Sequence, residues 1–588
     1  MSTVQVVFQV LKGTRRFIIE KGRRWSVIEH LLLDAVSRGP ATAAELAVAS
    51  RLPRRVIIEA FIRLMRAGWV EVLVTSRGAA FQITSVGASR VHQDQLPAAT
   101  VTEPRWRSFA IEPITGSVFR GRELELAHRN RIPSGTPEQP IVHINAASEP
   151  SVGDLSEVFS AIEAEDELII GVDRGAEKLV DRYAIVTVRD GVIEGLPGRA
   201  SPVLRLLIGK AAEAAENEAT KGTAKAIVDG ASVLASASSQ EIDLPQLQDA
   251  TFDAADVVID GPEHARAFER MVTGATERLI IHSTFLSEER AQAIFPQLIK
   301  AAERGVKVDI LWGQDDIGTA TRSSQIVAAK LQAQATNAGW EGSIRVHPFS
   351  TNSHAKLVVA DTSKGGWNAL IGSCNWLASD FTSFEASMRL RDPILVGSLI
   401  RKLGGLAQGR PGVWNDLAVE LSVLGRRVME GPSVGGRKVP TRLIYGSEHA
   451  RLVLEARDRA RERLFVLSHR IGLAAHPVAL LPALAAVEEN GIAASFYYGR
   501  TTGPLSGAAS ADLIREFANK GLSIRPIHRP RLHAKVLGWD GNALAISSLN
   551  WLSADPSEAA PYREIGVLVD APKIAENFLM RFENTQIA

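Results

Sequence analysis

The clearest pattern of apolar and polar positions lies in residues 26–86, where three amphipathic stretches precede two short apolar runs. The stretches are SVIEHLLLDAVSRG, TAAELAVAS and RLPRRVIIEAFIRLMRAG, with apolar residues at helical spacing. Thr42 starts the second with Glu45 three positions on, as in a capping box. Pro53 falls in the first turn of the third. The runs WVEVLV and AAFQIT, joined by a turn at 76–78, predict a β-hairpin.

Three helices followed by a hairpin resemble a winged helix-turn-helix domain. Its third helix and its hairpin tip are rich in arginine, which suits contact with the phosphates of nucleic acid. The predicted DNA-binding residues are Arg51, Arg54, Arg55 and Arg77, with Arg63 and Arg66 further along the same helix. Winged helices are also common as protein-interaction modules, so a structural or dimerising role is the alternative.

A long internal repeat dominates the rest of the chain. Residues 261–283, GPEHARAFERMVTGATERLIIHS, align without gaps to residues 446–468, GSEHARLVLEARDRARERLFVLS. Both copies continue through two helices and a short strand to His-Ala-Lys. Alternating strands and helices predict an α/β fold. A repeat of about 180 residues is too long for a solenoid and indicates duplicated halves.

These patterns divide the chain into five expected segments. The runs IVHINA, DELIIGV and YAIVTV predict strands of a small α/β region ahead of the repeat, and the stretch around 221–239 is rich in Ala and Ser, as linkers are. We expect a winged-helix domain at 1–100, the α/β region at 101–230, a linker at 231–254, a first half at 255–425 and a second half at 426–588.

Composition and charge narrow the functional classes. The 588 residues carry 67 basic and 66 acidic side chains, but residues 1–100 hold 14 basic against 7 acidic ones, so that segment is at +7 and the remainder at −6. This asymmetry favours a basic partner-binding module at the N-terminus. The single cysteine, Cys374, fits a reducing compartment. The absence of a long apolar run or a secretory signal leads us to expect a cytoplasmic protein without membrane contact.

Two matching motifs carry the candidate chemistry. Each has a histidine and a lysine two apart, an aspartate five residues after the lysine, and a Ser-x-Asn further on. The motif residues are His354, Lys356, Asp361, Ser373 and Asn375 in the first copy and His533, Lys535, Asp540, Ser548 and Asn550 in the second. They resemble the H-x-K-x4-D…G-S-x-N signature of the phospholipase D superfamily. The resemblance covers roughly residues 255–588.

The residue types of these motifs suit phosphodiester cleavage. Side chains two apart on a strand face the same way, so each His-Ala-Lys directs an imidazole and an ammonium into one site. The two lysines and two asparagines can stabilise the oxygens of the anionic substrate. One histidine can attack phosphorus while the other protonates the leaving oxygen. The resemblance implies His354 as the nucleophile, and no metal and no cofactor.

The resemblance also implies a carboxylate that orients each histidine, contributed by the opposite half. We therefore expect Glu564 beside His354 and Glu385 beside His533. Asp361 and Asp540 are expected to be structural. The second copy departs from the family by having Ser547 in place of a glycine.

Other residues near the motifs have weaker assignments. We expect Ser373, Ser548, Arg529 and Arg531 to contact substrate; for the arginines, which precede the second motif, a solvated surface is the alternative. Trp376 and Trp551 are expected to pack in the core rather than stack on bases. His264 and His449, in the repeated Glu-His-Ala-Arg, are expected to be structural.

These features predict a DNA nuclease, acting through phosphohistidine, in bacterial restriction or anti-phage defence. The expected partners are nucleic acid, with DNA favoured, proteins of a defence complex, and a second copy of the chain. One alternative is a soluble phospholipase D or transphosphatidylase with the same site. The other is a non-catalytic DNA-binding or assembly module.

Overall fold

The computed structural model describes most of the chain. The described residues are 3–23, 25–75, 78–92, 96, 99–136, 139–145, 155–164, 166–173, 179–219, 225–229, 246–313, 319–363, 365–408, 415–432, 435–503, 508–554 and 564–587.

A long first strand, Thr3–Arg23, organises an N-terminal sheet of nine strands. Its alternate residues Val4, Val6, Phe8 and Val10 are buried, as expected for a strand with one face in a core. Its direct partners are Ala99–Ile111, Ile141–Asn145, Glu167–Val172 and Val180–Arg189. The other strands are Val118–Arg120, Leu126–Ala127, Val192–Glu194 and Lys225–Asp229. The described helices of this region are a short 3-10 helix, Arg129–Arg131, and the α-helices Leu155–Ile162 and Pro202–Ala219.

The three helices and the hairpin predicted near the N-terminus are present. The helices are Val27–Ser37, Ala43–Ser50 and Arg54–Arg66, the strands are Ala41–Thr42, Val70–Thr75 and Gly78–Ile83, and a short helix follows at Ser85–Ala88. Thr42 and Glu45 form the expected capping box, and Ser26 and Glu29 form a second one. The ring of Phe61 on the third helix stacks on Phe81 of the hairpin at 4.1 Å between centroids.

This three-helix unit is inserted into the N-terminal sheet, which differs from the expected boundary at residue 100. The unit lies between Thr3–Arg23 and Ala99–Ile111, two strands that pair with each other. Residue 100 therefore falls inside a strand, and residues 3–23 belong to the sheet rather than to the helical unit. The partners of the first strand lie more than 75 residues downstream, so no local pattern announces the pairing.

The repeat forms two sheets with the same strand order. The first contains, in spatial order, Val257–Ile259, Ala386–Leu390, Trp367–Gly372, Leu357–Asp361, Arg278–Ser283, Lys307–Trp312 and Ile344–Val346. The second contains Lys438–Tyr445, Ile565–Asp570, Ala543–Ser547, Val536–Trp539, Arg463–Ile471, Ala493–Thr501 and Leu522–Pro526 in the corresponding places. The fold is thus α/β with duplicated halves.

Helices accompany both sheets. Those of the first half are Gly261–Gly274, Glu288–Glu303, Thr319–Asn337, Pro393–Ala407 and Asp416–Met429. Those of the second half are Glu448–Arg459, Leu481–Asn490, Ala508–Asn519 and Ile574–Ile587. No helix among the described residues is both long enough and apolar enough to cross a membrane.

The two halves share one core. Leu357 and Ile371 of the first half lie in the same buried cluster as Leu467 and Val536 of the second. An eighth strand, Gln248–Thr251, precedes the first half in sequence but pairs with the sheet of the second half. The expected linker at 231–254 therefore ends in a strand, whereas its residues 231–245 lie outside the described part of the chain.

Candidate active site

The two His-Ala-Lys segments enter their strands at the junction of the halves. Phe384, just before Glu385, makes an isolated parallel bridge with Leu532, just before His533. The backbone N–H of Phe384 donates to the carbonyl of Arg531 at 2.9 Å, and the N–H of His533 donates back to the carbonyl of Phe384 at 2.9 Å. These bonds bring a carboxylate of the first half beside a histidine of the second.

Each histidine is held by a glutamate of the other half. His354 Nδ1 is 2.8 Å from Glu564 Oε1, and His533 Nδ1 is 2.7 Å from Glu385 Oε1. The bond at Nδ1 fixes the orientation of each ring and leaves its Nε2 for chemistry. Both halves are therefore needed to complete either histidine.

The motif serines support the glutamates, in contrast to the expected substrate contact. Ser373 Oγ donates to Glu385 Oε2 and Ser548 Oγ donates to Glu564 Oε2. Each serine also accepts the backbone N–H that follows its glutamate, that of Ala386 or Ile565, at 3.0 Å. Both serines are buried and their oxygens are occupied, so they act on the histidines through the carboxylates.

The glutamates are held in their charged form. Burial alone would raise the pKa of Glu385, but the charge and hydrogen bond of His533, with Lys535, outweigh it and lower the pKa to about 2. The same balance with His354 and Lys356 lowers the pKa of Glu564 to about 2. Burial lowers the pKa of His533 to about 4 despite the neighbouring Glu385. His533 is therefore a neutral imidazole in the free site at neutral pH.

The two lysines concentrate positive charge in the site. Lys356 Nζ donates to Thr284 Oγ1 at 2.8 Å and to the carbonyl of His354 at 2.6 Å. Lys535 Nζ donates to the carbonyl of His533 at 2.8 Å. Burial and then the charge of Lys356 lower the pKa of Lys535 to about 7. Two buried ammonium groups that repel each other form a site suited to an anion.

The motif asparagines retain unused hydrogen-bonding capacity. The side-chain oxygens of Asn375 and Asn550 are buried and have no hydrogen-bond partner among the described residues. Buried polar groups normally find partners, so these two oxygens at equivalent positions remain able to accept a hydrogen bond from a group outside the chain. The following residues, Trp376 and Trp551, are each 1% exposed and so cannot stack on bases.

The departure at Ser547 is compensated on the facing strand. In the first half Gly372 faces Ser387, whereas in the second half Ser547 faces Gly566. Both serines hydrogen-bond the repeated histidine of their half: Ser387 Oγ is 2.9 Å from His264 Nε2 and Ser547 Oγ is 2.7 Å from His449 Nε2. The exchange preserves the bond. Both histidines are completely buried.

The aspartates of the motifs accept backbone N–H groups. Asp361 accepts the N–H groups of residues 276–278 at 2.9–3.2 Å, and Asp540 those of residues 461–463 at 2.8–3.3 Å. These bonds join each motif strand to the turn before the neighbouring strand. Neither aspartate bonds a histidine or lysine of the motifs, and the structural role of both stays a prediction.

A further histidine, His469, is absent from the sequence-based site. It aligns with Thr284 one position beyond the gap-free repeat, and its ring is 4.7 Å from that of His533 between centroids. Burial, and then the neighbouring His533 and Lys535, lower its pKa to about 2. Extending the alignment by one residue would have revealed this difference between the halves.

The remaining predicted residues lie away from the catalytic groups or at their margin. Arg529 and Arg531 are exposed on the segment that leads into the second motif. Arg54 and Arg55 are exposed in the first turn of the third helix, and Arg55 pairs with Glu59 at 3.0 Å. Arg51, expected on that helix, is exposed but instead ends the second helix in a left-handed conformation. Arg77 lies outside the described residues.

No group of three or more His, Cys, Asp and Glu side chains within the described ranges is arranged to hold a metal ion. Cys374 is buried, and burial together with Glu385 raises the pKa of its thiol well above the ordinary value.

A comparison with known protein families gives a match within the first half. Residues 269–404 match the family described as cardiolipin synthase, PLD-like domain. No curated protein sequence matches the chain. The chain thus carries a phospholipase D-like domain. The first of the two His-Ala-Lys motifs lies within this match.

Solved structures resemble the chain only distantly. Phosphatidylserine synthase of Haemophilus influenzae is 14% identical over 58% of this chain and 88% of its own, with a TM-score of 0.41. A yeast tyrosyl-DNA phosphodiesterase mutant is 11% identical over 53% and 89%, with a TM-score of 0.35. TrmBL2, an archaeal chromatin protein, is 16% identical over 24% and 51%, with a TM-score of 0.18. At these scores the likenesses assign no substrate.

Proposed function

We propose that the protein is a metal-independent phosphodiesterase that cleaves nucleic acid, with DNA as the favoured substrate. The observation that carries the proposal is the crossed pair of His–Glu contacts, at 2.8 and 2.7 Å, around two buried lysines. This arrangement supplies a nucleophile, a proton donor and positive charge in one site without further groups.

In the first step, the Nε2 lone pair of His354 attacks phosphorus and the bond to the leaving oxygen breaks. His354 is assigned as the nucleophile because its side chain is the more accessible, at 37% exposed against 16% for His533. The electron pair of the broken bond stays with the leaving oxygen, which takes a proton from His533. The bound diester raises the pKa of His533, because its negative charge favours the imidazolium. The product of this step is a phosphohistidine and a free hydroxyl end.

In the second step, water attacks phosphorus on the side that the leaving group has vacated. His533, now neutral, takes the proton of that water, and the bond between His354 and phosphorus breaks. Glu564 and Glu385 stabilise the imidazolium forms that arise on His354 and His533 in turn. The two lysines and two asparagine amides stabilise the phosphoryl oxygens in both steps.

The N-terminal helical unit supports nucleic acid as the substrate. Arg54 and Arg55 occupy the first turn of the third helix, where the helix dipole disfavours cations by about 0.3–1 kcal/mol each. A bound phosphate would compensate this cost. Reversing both charges, as Arg54→Glu with Arg55→Glu, should weaken DNA binding and flatten its salt dependence. Arg38→Glu, on an arginine that is 77% exposed elsewhere in the unit, is the control. Unchanged binding in the double variant would leave a protein-interaction role.

The activity is tested by incubating the protein in EDTA with plasmid, single-stranded DNA, RNA and phosphatidylcholine vesicles. We expect cleavage of nucleic acid by the wild type, none by His354→Ala, and normal cleavage by His476→Ala, which alters an exposed histidine outside the motifs. Equal cleavage by wild type and His354→Ala, or complete loss in EDTA, would contradict the proposed chemistry. Hydrolysis of the vesicles alone would favour the phospholipase alternative.

A role in restriction or anti-phage defence with partner proteins extends this proposal. Plating efficiency of phage on cells that express the wild type or His354→Ala tests it. We expect protection that requires His354; equal plating in both strains would contradict the defence role.

A further inference from the structure

The two halves differ in charge directly beside their motifs. Ser283 Oγ donates to the carbonyl of Phe285 at 2.8 Å, and Ser468 Oγ donates to the carbonyl of Arg470 at 2.8 Å. The identical bonds show that Phe285 and Arg470 occupy equivalent places. The first half therefore has an apolar residue where the second half has a cation.

Arg470 has a second arginine as its neighbour. Arg470 and Arg500 are in register on the adjacent parallel strands Arg463–Ile471 and Ala493–Thr501, so their side chains leave the same face of the sheet. Neither forms an ion pair within the described part of the chain, and Arg470 Nε is buried without a hydrogen-bond partner there. Burial, and then the charge of Arg500, lower the pKa of Arg470. Two adjacent guanidinium groups thus lack a counter-charge from the residues that the structure describes.

This pair borders the catalytic site on the side of His533. The strand that carries Arg470, Arg463–Ile471, pairs antiparallel with Val536–Trp539, so Arg470 lies at the end of the sheet where His533 and Lys535 precede that partner strand. The ring of His469, on the same strand as Arg470, is 4.7 Å from that of His533. The positive charges of Arg500 and Arg470 also lower the pKa of His469, and Arg470 acts on Lys535 in the same sense. A group bound by the two arginines would therefore lie next to the leaving-group side of the scissile phosphate.

We propose that Arg470 and Arg500 form a subsite for the phosphate that follows the leaving oxygen in a nucleic acid strand. The proposal rests on the proposed function, because it places a second phosphate of the same substrate. Guanidinium groups present paired donors that match the oxygens of a phosphate. Since the first half has Phe285 in place of Arg470, the subsite exists on one side only. It fixes the direction in which the strand crosses the site.

The subsite is tested by comparing a diester with one phosphate and a substrate with many. Bis(p-nitrophenyl) phosphate reaches the catalytic groups but has no neighbouring phosphate, whereas a single-stranded oligodeoxynucleotide has one. Arg500→Gln is the main variant because its side chain is exposed and its loss leaves the core intact. Arg470→Lys keeps the charge of the half-buried residue and removes its paired donors. Arg525→Gln, on the next strand with its Nε bonded to Ser523, is the matched control.

We expect Arg500→Gln and Arg470→Lys to lower kcat/KM for the oligonucleotide roughly tenfold, the effect of one lost charge-assisted contact. Activity on bis(p-nitrophenyl) phosphate should not change. The slope of log KM against log salt should fall by about 0.7 in Arg500→Gln, as for one lost phosphate contact on a single strand. Losses no larger than in Arg525→Gln, or equal losses on both substrates, would overturn the subsite. A wild type that cleaves bis(p-nitrophenyl) phosphate but no nucleic acid would overturn the proposed function and the subsite together.

Discussion

The exchanged Gly–Ser pair in the second half allows a sharp test of how the site is supported. Ser547→Gly removes the hydroxyl that bonds His449 at 2.7 Å and accepts the N–H of Leu549 at 3.0 Å. Gly566→Ser instead places a Cβ 2.9 Å from Ser547 Cβ and 3.1 Å from His449 Nε2, too close for a packed site. The double variant carries glycine and serine in the order found in the first half.

The magnitudes follow from these contacts. Leaving the buried His449 nitrogen without a partner costs about 1–3 kcal/mol. Overpacking at Gly566 costs about 1–3 kcal/mol. If the effects were independent, the double variant would lose about 2–6 kcal/mol. Because the side chain introduced by Gly566→Ser would have the room that Ser547→Gly vacates, we expect the double variant to lose less than about 1.5 kcal/mol.

The assay is the midpoint of thermal unfolding for the two single variants and the double variant, together with hydrolysis of bis(p-nitrophenyl) phosphate. The matched control is the exchange Gly372→Ser with Ser387→Gly in the first half. In the first half we expect the second substitution to restore no stability. A Cβ at Gly372 would overlap the backbone carbonyl of Ala386, and a change of side chain at Ser387 cannot remove that overlap. If the double variant in the second half loses as much stability as the two single variants together, Gly566 does not compensate for Ser547.

Three further predictions follow from the ionisable groups and their bonds. Since the pKa of Lys535 is about 7 in the free site, kcat/KM should fall above pH 7 for bis(p-nitrophenyl) phosphate, a substrate whose leaving group needs no proton. Lys535→Arg should move this fall to higher pH; if the fall stays at the same pH, another group causes it. Glu564→Gln should lower kcat on the order of 10²–10⁴-fold with little change in KM, because His354 loses its charged partner. The control Glu462→Gln, on the surface, should have no effect, and a change in KM alone in Glu564→Gln would contradict the orienting role. Burial lowers the pKa of His282 and His449 from an unfolded value of about 6.5 to about 4, so the stability they contribute is complete above pH 6.5 and is lost as pH falls towards 4, by about 2 kcal/mol each at pH 5. Chemical denaturation at pH 7 and pH 5 measures this loss. Equal free energies of unfolding at the two pH values would show that both rings are charged in the folded protein.

The sequence predicted the repeated parts of the molecule well, because two copies of one pattern constrain each other. The crossed partners of His354 and His533 were expected before the structure, and Glu564 was found despite a spacing from Asn550 that differs from the first copy. Asp361 was expected to be structural, and it accepts the backbone N–H of Arg278. The helices within residues 26–66 were predictable because their apolar spacing is a local pattern.

Features that depend on contacts between distant residues were not predictable in this way. The first strand, Thr3–Arg23, pairs with segments far along the chain, so residue 100 was taken for a domain boundary. The motif serines were expected to meet substrate because a sequence does not show which neighbour a hydroxyl will bond. The compensation of Ser547 by Gly566 is visible only once the two strands are aligned side by side.

The proposed mechanism requires that His354 forms a covalent bond to phosphorus while the second half of the chain supplies Glu564 and His533. Bis(p-nitrophenyl) phosphate in EDTA tests it most directly with the His533→Asn variant, because p-nitrophenolate leaves without a proton while the second step lacks its base. We predict a burst of one p-nitrophenolate per protein chain and a stable phosphoryl adduct on His354 by mass spectrometry, with neither in His354→Asn. A burst that persists in His354→Asn, or turnover without an adduct on His354, would contradict the account.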